Sequence, residues 1–244
     1  MKKRTKNILI GLVIVPIAAL ILVWFLFFRL PSTYSAEVVT GQIVDAKTGK
    51  PIDKAIVVAI WELERGFSIE GGILAGHLHV QEVLTDKDGF YQVDAWGPKK
   101  PPKGSYTNSR SPKLAIFKKG YYPDAKKNFW WGPSDDRQYQ YRKVHKSDWH
   151  MQTLKLEPFD GDWKRYSRTL TNFNVSFDSV FDVIFGAHQC DWKKIPRMVI
   201  ALDKHRQFLK ERKLPKGGLP LLNQMVKRKE CKVISMEQFI EENN

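Results

Sequence analysis

The spacing of apolar residues changes character twice along this 244-residue chain. From Ile8 to Phe28 the apolar run is continuous and carries no charge. Its 21 residues would span about 31 Å as a helix, close to the roughly 30 Å hydrocarbon core of a bilayer. From Glu37 the pattern alternates and turn residues punctuate it. Glu37–Ala46 reads as a strand, closed by the tight turn Thr48-Gly49-Lys50-Pro51. Ala55–Leu63 reads as a second strand, rich in β-branched residues and apolar on both faces. The Gly-rich stretch Gly66–Gly76 reads as a loop. A third strand ends near Thr85, and the turn Asp86-Lys87-Asp88-Gly89 leads into a strand through Phe90, Tyr91 and Val93. Leu114–Phe117 and Gln152–Leu156 complete about six or seven short strands, a pattern that predicts a β-sandwich rather than a parallel α/β sheet.

After Glu157-Pro158 the period becomes helical. Met198, Ala201, Leu202, His205, Phe208 and Leu209 fall on one helix face, Pro196 suits the first turn, and Lys210, Arg212 and Lys213 suit the C-terminal end. Gly217-Gly218 breaks the pattern, and Leu221–Lys229 predicts a second helix. Ser235 with Gln238 forms the sequence signature of a capping box. Phe173–Phe185 fits both periods and leans to helix. This tail is expected to pack against the sandwich.

Charge places the elements relative to a membrane. Lys2, Lys3, Arg4 and Lys6 precede the apolar run, and only Arg29 lies between its end and Lys47. The positive-inside rule then keeps the N-terminus cytoplasmic and exports the rest. A cleaved signal peptide is the competing reading, with Ser35-Ala36 near the cut. Its apolar region is usually only about 7–15 residues, and Tyr34 is bulky where the site wants a small residue. The chain carries 40 Lys and Arg against 26 Asp and Glu, for a net charge of +14. Outside the genome's compartment that excess points to anionic headgroups, wall polymers or acidic proteins, and no nucleic-acid partner is expected. The two cysteines, Cys190 and Cys231, both lie in the exported part and are expected to form a disulfide. For a loop of that size the chain-entropy model gives roughly 3–4 kcal/mol, and two buried free thiols are the alternative.

The string GQIVDAKTGKPIDKAIVVAIW, followed by LTDKDGFYQV, LAIFKKGYYP and TLKLEP, resembles the carboxypeptidase regulatory-like domain. The matching residues are Gly41, Ile43, Asp45, Thr48-Gly49, Pro51, Ala55 and Val57, then Thr85-Asp86, Gly89 and Tyr91, then Gly120-Tyr121. The resemblance covers roughly residues 38–158 and implies a prealbumin-like sandwich of seven strands, a fold that hosts many functions. Long insertions at about 64–79, 98–112 and 122–149 depart from the compact pattern. The expected architecture is therefore mainly β. It comprises a basic cytoplasmic segment (1–7), a transmembrane helix (8–28), a linker (29–36), the sandwich (37–158) and a helical C-terminal extension (159–244).

Candidate chemistry is sparse. His77-Leu78-His79 puts both imidazoles on one face of a regular strand, so His77 and His79 are weak metal candidates. His145, Asp148 or His150 would supply a third ligand. His79-Val80-Gln81-Glu82 spells the H-x-x-E pair of metallocarboxypeptidases, whose large catalytic domain has no room here. Two enzyme families with related sandwiches lack their signatures in this chain. Tyr141-Arg142-Lys143 stands where hydroxyisourate hydrolases carry Tyr-Arg-Gly-Ser. No His-x-His follows the Lys113–Tyr122 block, as the iron site of intradiol dioxygenases requires. No G-x-S-x-G and no phosphate loop is present. The insertion from Tyr121 to Trp149 mixes aromatic and basic residues, so Tyr121, Tyr122, Trp130, Trp131 and Trp149 are the binding candidates. The expectation is a module without catalytic activity or cofactor, single-pass in the inner membrane through residues 8–28 and facing the periplasm. Its partner is an envelope protein, with cell-wall glycan as the alternative and a metal-dependent hydrolase as the second alternative.

Overall fold

The computed structural model describes residues 16–17, 33–66, 72–107, 110–128, 144–181, 190–214 and 235–243. The chain divides into two compact units, Met1–Ser32 and Thr33–Asn244. Apart from Pro16 and Ile17, which are helical, the expected membrane segment 8–28 lies outside the described residues. Among the described residues no helix is long and apolar enough to cross a membrane.

The second unit is a sandwich-like β structure with helices on one side. One layer consists of strands β1 (Tyr34–Ala36), β2 (Val39–Asp45), β5 (Phe90–Val93), β6 (Trp96–Lys99), β10 (Val144–His145) and β11 (Gln152–Leu156). They form two sheets, ordered β10-β1-β6 and β11-β2-β5. The two orders repeat, because β1 and β2 are separated only by Glu37 and Val38, and β5 and β6 only by Asp94 and Ala95. The two sheets are thus successive halves of one three-strand ribbon. The other layer has the order β4 (Ile73–Leu84), β3 (Ile56–Arg65), β8 (Lys113–Phe117), β9 (Asp124–Lys126), and β7 (Ser105–Thr107) pairs with the far end of β3.

β3 explains why an alternating pattern fails at Ala55–Leu63. Val57, Ala59, Trp61 and Leu63 on one face and Val58 and Ile60 on the other are all fully buried. A strand covered on both sides is apolar at every position. Val58 and Ile60 join Val80, Ala115 and Phe117 in a core shared with the helices, where Leu170, Phe173, Trp192, Met198, Leu202, Leu209 and Phe239 cover them. The tail therefore packs on the five-strand layer, as its apolar face requires.

Two glycines in the β2–β5 region have no substitute. A Cβ at Gly41 would lie 2.6 Å from the Tyr91 hydroxyl oxygen and 2.9 Å from the Gln152 carbonyl oxygen. Gly89 turns at φ +77°, and its Cβ would lie 2.5 Å from the Ile43 carbonyl oxygen. Asp86 completes that turn by accepting from the Asp88 and Phe90 amides at 2.9 and 2.8 Å.

Three helices are described: α1 (Trp163–Phe181), α2 (Pro196–Glu211) and α3 (Met236–Asn243), with a 3₁₀ turn at Asp191–Lys194 before α2. α1 starts at Asp162, whose carboxylate accepts from the Arg165 amide at 2.9 Å. Pro196 opens α2, and the residue before it, Ile195, offers no capping side chain. The cap comes instead from β4. The Glu82 carboxylate accepts from the Arg197 amide at 3.0 Å and the Met198 amide at 2.6 Å. Caps of this kind are worth about 1 kcal/mol, and this one also fixes the helix to the sheet. At α3 the capping box forms one way only. Ser235 accepts from the Gln238 amide at 3.1 Å, while the Gln238 side chain turns to Glu242 at 2.8 Å. The second helix expected at Leu221–Lys229 lies outside the described residues.

The structure corrects two boundaries. The Gly66–Gly76 stretch is not wholly a loop, because β4 begins at Ile73 and extends the ladder against β3 as far as Arg65. Most of the expected insertion at 64–79 is thus strand. The stretch at 98–112 likewise contains β7 and the end of β6.

Candidate functional site

The chemistry-bearing side chains fall into three places. The first two are created by an irregularity in β4. Trp61 pairs with His79, but the next residue of β3, Glu62, pairs with His77, so Leu78 is an extra residue in the ladder. Neighbouring residues of β3 point to opposite faces, and so do their partners. The bulge therefore corrects the expectation that both imidazoles share a face.

His77 faces the helices. Its Nδ1 lies 2.8 Å from Asp191 Oδ2, and Lys194 Nζ lies 2.5 Å from the other oxygen of the same carboxylate. Burial opposes the Asp191 charge, but the bonds from His77 and Lys194 prevail and hold its pKa below the usual carboxylate value. His77 Nε2 is buried without a hydrogen-bond partner. Cys190 precedes Asp191 at this place, and Cys231 lies outside the described residues.

His79 faces the inside of the sandwich. Its ring lies 5.4 Å from that of Trp61 and 5.1 Å from that of Trp96. Lys99 Nζ donates to its Nδ1 at 2.7 Å. Burial, reinforced by the Lys99 charge, pushes the His79 pKa down to about 4, so it is a neutral acceptor at pH 7. His145 is also pushed down to about 4 by burial, and its Nε2 meets Thr107 Oγ1 at 2.5 Å. His150 Nδ1 accepts from the Thr40 amide at 3.2 Å. His145 and His150 are thus each engaged locally. Among the described residues no three His, Cys, Asp or Glu side chains converge to hold a metal. Glu82, of the H-x-x-E string, caps α2 instead of joining His79.

The third place is the root of the Tyr121–Trp149 insertion. Tyr121 and Tyr122, neighbours in sequence, have separate roles. Tyr121 donates to Asp45 Oδ2 at 3.1 Å. Tyr122 is buried and donates to Asp160 Oδ1 at 2.6 Å. Its ring lies 5.8 Å from Phe159 and 5.5 Å from Tyr166, under the Arg165 guanidinium at 4.5 Å. Burial and the Asp160 carboxylate push its pKa up to about 12. Tyr122 therefore joins the sheet to α1. Trp149 donates from Nε1 to the Lys127 carbonyl oxygen at 3.1 Å, and Lys126 Nζ stands 5.6 Å from its ring. Trp130 and Trp131 lie outside the described residues.

Asn128, which the sequence pattern does not mark, closes this insertion at its base. Its amide donates to Ser111 and Lys146 carbonyl oxygens at 3.0 and 2.9 Å, and its oxygen accepts from the Asp148 amide at 3.1 Å. A buried Asn with three bonds across a loop's two ends is a fixed clamp. Beside the insertion a groove of about 370 Å³ runs between Tyr122, Asp124, Lys155, Glu157 and α1, where Arg165 pairs with Glu157.

These elements define a β-sandwich whose five-strand layer is capped by helices. No family model matches the chain, and no curated protein matches it. Solved structures similar to it include ring-cleaving dioxygenases and pilin domains. The 3-chlorocatechol 1,2-dioxygenase of Rhodococcus opacus is 14% identical over 52% of this chain and 61% of its own, with a TM-score of 0.31. This chain thus spans less than two thirds of that enzyme. The intradiol ring-cleavage dioxygenase of Tetranychus urticae is 16% identical over 55% of this chain and 84% of its own, with a TM-score of 0.29. The C-terminal domain of a shaft pilin from Lactobacillus rhamnosus GG is 11% identical over 53% of this chain and 100% of its own, with a TM-score of 0.25. The expectation that the chain is not an enzyme is corrected here, because most of these similar structures are enzymes. At such scores the likeness assigns this chain no activity.

Proposed function

We propose that the chain is an extracytoplasmic binding module, held at a membrane by residues 8–28, that docks an envelope protein around the root of the 121–149 insertion. In this reading the sandwich is prealbumin-like and of the carboxypeptidase regulatory-like type, with its N-terminus in the cytoplasm. The observation that carries it is an apolar lip at the C-terminal foot of the insertion. Val144 is 40% exposed and Met151 78% exposed, and they bracket Trp149. Met151 also holds φ +59°, in the left-handed region that a side chain of its size rarely enters. Its amide donates to the Thr40 carbonyl oxygen at 2.7 Å, which fixes the lip on the three-strand layer. Val38 and Phe90 of that layer are exposed as well, whereas the helices take up the five-strand layer. Exposed apolar residues at the foot of the insertion, with Lys126, Lys127 and Lys146 in its two ends, have the makeup of a docking surface with a polar rim.

The test is lysine-directed crosslinking of the full-length protein in cells, followed by mass spectrometry. Partner peptides are expected on Lys126, Lys127 or Lys146, and Met151→Asp is expected to reduce partner recovery at least about tenfold without lowering the melting temperature. Crosslinks confined to the helices, or recovery unchanged by Met151→Asp, would remove this surface from the proposal. Wall-glycan fragments recovered without a protein partner would favour the glycan alternative.

The same reading includes a Cys190–Cys231 bridge, which suits an oxidising compartment. Digestion without reductant is expected to yield a single peptide joining the two cysteines. Two alkylatable thiols would remove the bridge and count against export.

A further inference from the structure

A separate groove of about 220 Å³ lies where the end of β8 meets α2, and neither the docking surface nor the histidine pairs above use it. Its walls are Phe117, Ala201, His205 and Phe208, with Lys119 and Lys204 at its rim. The floor is aromatic. The His205 ring lies 5.9 Å from Phe117 at 68° and 5.9 Å from Phe208 at 24°. His205 Nε2 is buried and has no hydrogen-bond partner. Both lysines are exposed, and neither makes an ion pair among the described residues. A third cation, Arg212, stands 4.5 Å from the Phe208 ring. The nearest acidic residue along α2, Asp203, is bonded to Gln207 at 2.6 Å.

From this arrangement we infer that the groove binds a small aromatic carboxylate. The ring would lie among Phe117, His205 and Phe208, and the carboxylate would meet Lys119 and Lys204. An aromatic body matches walls that are already edge-on and stacked rings. An anion matches a rim at which Lys119 and Lys204 make no ion pair among the described residues. Burial and the nearby Lys119 charge lower the His205 pKa to about 4, so its imidazole is neutral at pH 7 and offers one nitrogen as a hydrogen-bond partner. The volume falls below the roughly 300–1,000 Å³ of drug-sized sites, which limits the ligand to one or two rings.

The probe is 2-naphthoate, titrated into the full-length protein in zwitterionic lipid nanodiscs. The readout is the His205 ring proton resonance, assigned by its loss in His205→Gln. A saturable shift is expected, with an apparent Kd below about 1 mM. Lys119→Glu combined with Lys204→Glu is expected to weaken binding at least about tenfold with the melting temperature unchanged, since both side chains are exposed. The neutral analogue 2-naphthamide, tested on the unaltered protein, is expected to bind at least about tenfold more weakly. No saturable shift up to about 10 mM would overturn the inference. So would equal affinity for the amide, or undiminished affinity in the double variant.

Discussion

Replacing Trp192 by alanine is expected to cost about 3–5 kcal/mol and to unfold the sandwich and the helices together. Trp192 lies in the 3₁₀ turn between Cys190 and α2 and is fully buried. Its ring meets Phe239 of α3 edge-on at 4.9 Å, and it belongs to the cluster that joins β3, β4 and β8 to α1 and α2. The indole nitrogen has no hydrogen-bond partner, so alanine sacrifices no polar bond and the loss is one of packing and cavity. Neighbouring contacts make the effect spread. The turn carrying Trp192 also carries Asp191, bonded to His77 on β4, and it leads into the helix that Glu82 caps. Urea unfolding of the full-length protein in mild detergent would be followed by far-ultraviolet circular dichroism and by tryptophan fluorescence. Both signals are expected to move to the same lower midpoint. A variant that loses helical signal early while the sheet keeps its original midpoint would show that the helices form a separate cooperative unit.

The main elements were legible because each has one dominant periodicity. Val39–Asp45, Ile56–Arg65 and Gln152–Leu156 lie close to the strands expected at 37–46, 55–63 and 152–156, since their side chains meet a core at regular intervals. The double-sided burial of β3 was visible in Ala55–Leu63 itself, and α2 in the spacing of Met198, Leu202 and Leu209. Strands β1, β6, β7, β9 and β10 escaped notice because they hold only two to four residues, too few to establish a period, and β6 includes Pro98. The site was less legible. An inserted Leu78 inverts the facing of His77 against His79, and a bulge of one residue leaves no trace in a local pattern. Glu82 was visible only as part of a metal motif, since its true partners, the Arg197 and Met198 amides, lie more than a hundred residues away. Asn128 gave no signal because its bonds are to backbone groups of Ser111, Lys146 and Asp148, 17 to 20 residues away, which no side-chain pattern marks. Tyr122 resembled an exposed binding aromatic because its cover, Phe159 and Tyr166, comes from the start of α1 and the residues just before it, more than 35 residues on.

Stability is expected to fall steeply as pH drops from about 6.5 toward 4, before ordinary carboxylates are protonated. His79, His145 and His205 each have a pKa of about 4 in the folded chain, against 6.5 without burial. A histidine with a lowered folded pKa binds its proton more readily in the unfolded chain. Its neutral form therefore costs the fold nothing above about pH 6.5, and stability is lost progressively below that as the unfolded state takes up protons. Each fully linked proton contributes about 1.4 kcal/mol per pH unit. Three would give roughly 4, and water reaching the partly buried His79 and His205 reduces this toward the contribution of His145 alone. Glu82 opposes the trend. Burial raises its pKa above 4.5, so the folded chain takes up this proton first and gains stability as pH falls toward that value, with no further gain below it. Asp191, held low by His77 and Lys194, adds its own loss only below about its unfolded value of 3.8. The window between 6.5 and about 5 thus excludes Asp191, and any proton that Glu82 takes up within it opposes the histidines. Urea midpoints measured across it are expected to fall with pH in the unaltered protein, and the slope is expected to flatten most in His145→Gln, whose imidazole is the most deeply buried of the three. Equal midpoints at pH 6.5 and 5, or a slope indifferent to replacement of all three histidines, would mean that these imidazoles are solvated enough to titrate normally. The polar contacts that Lys99 and Thr107 make to two of them would then contribute little to holding the sandwich together.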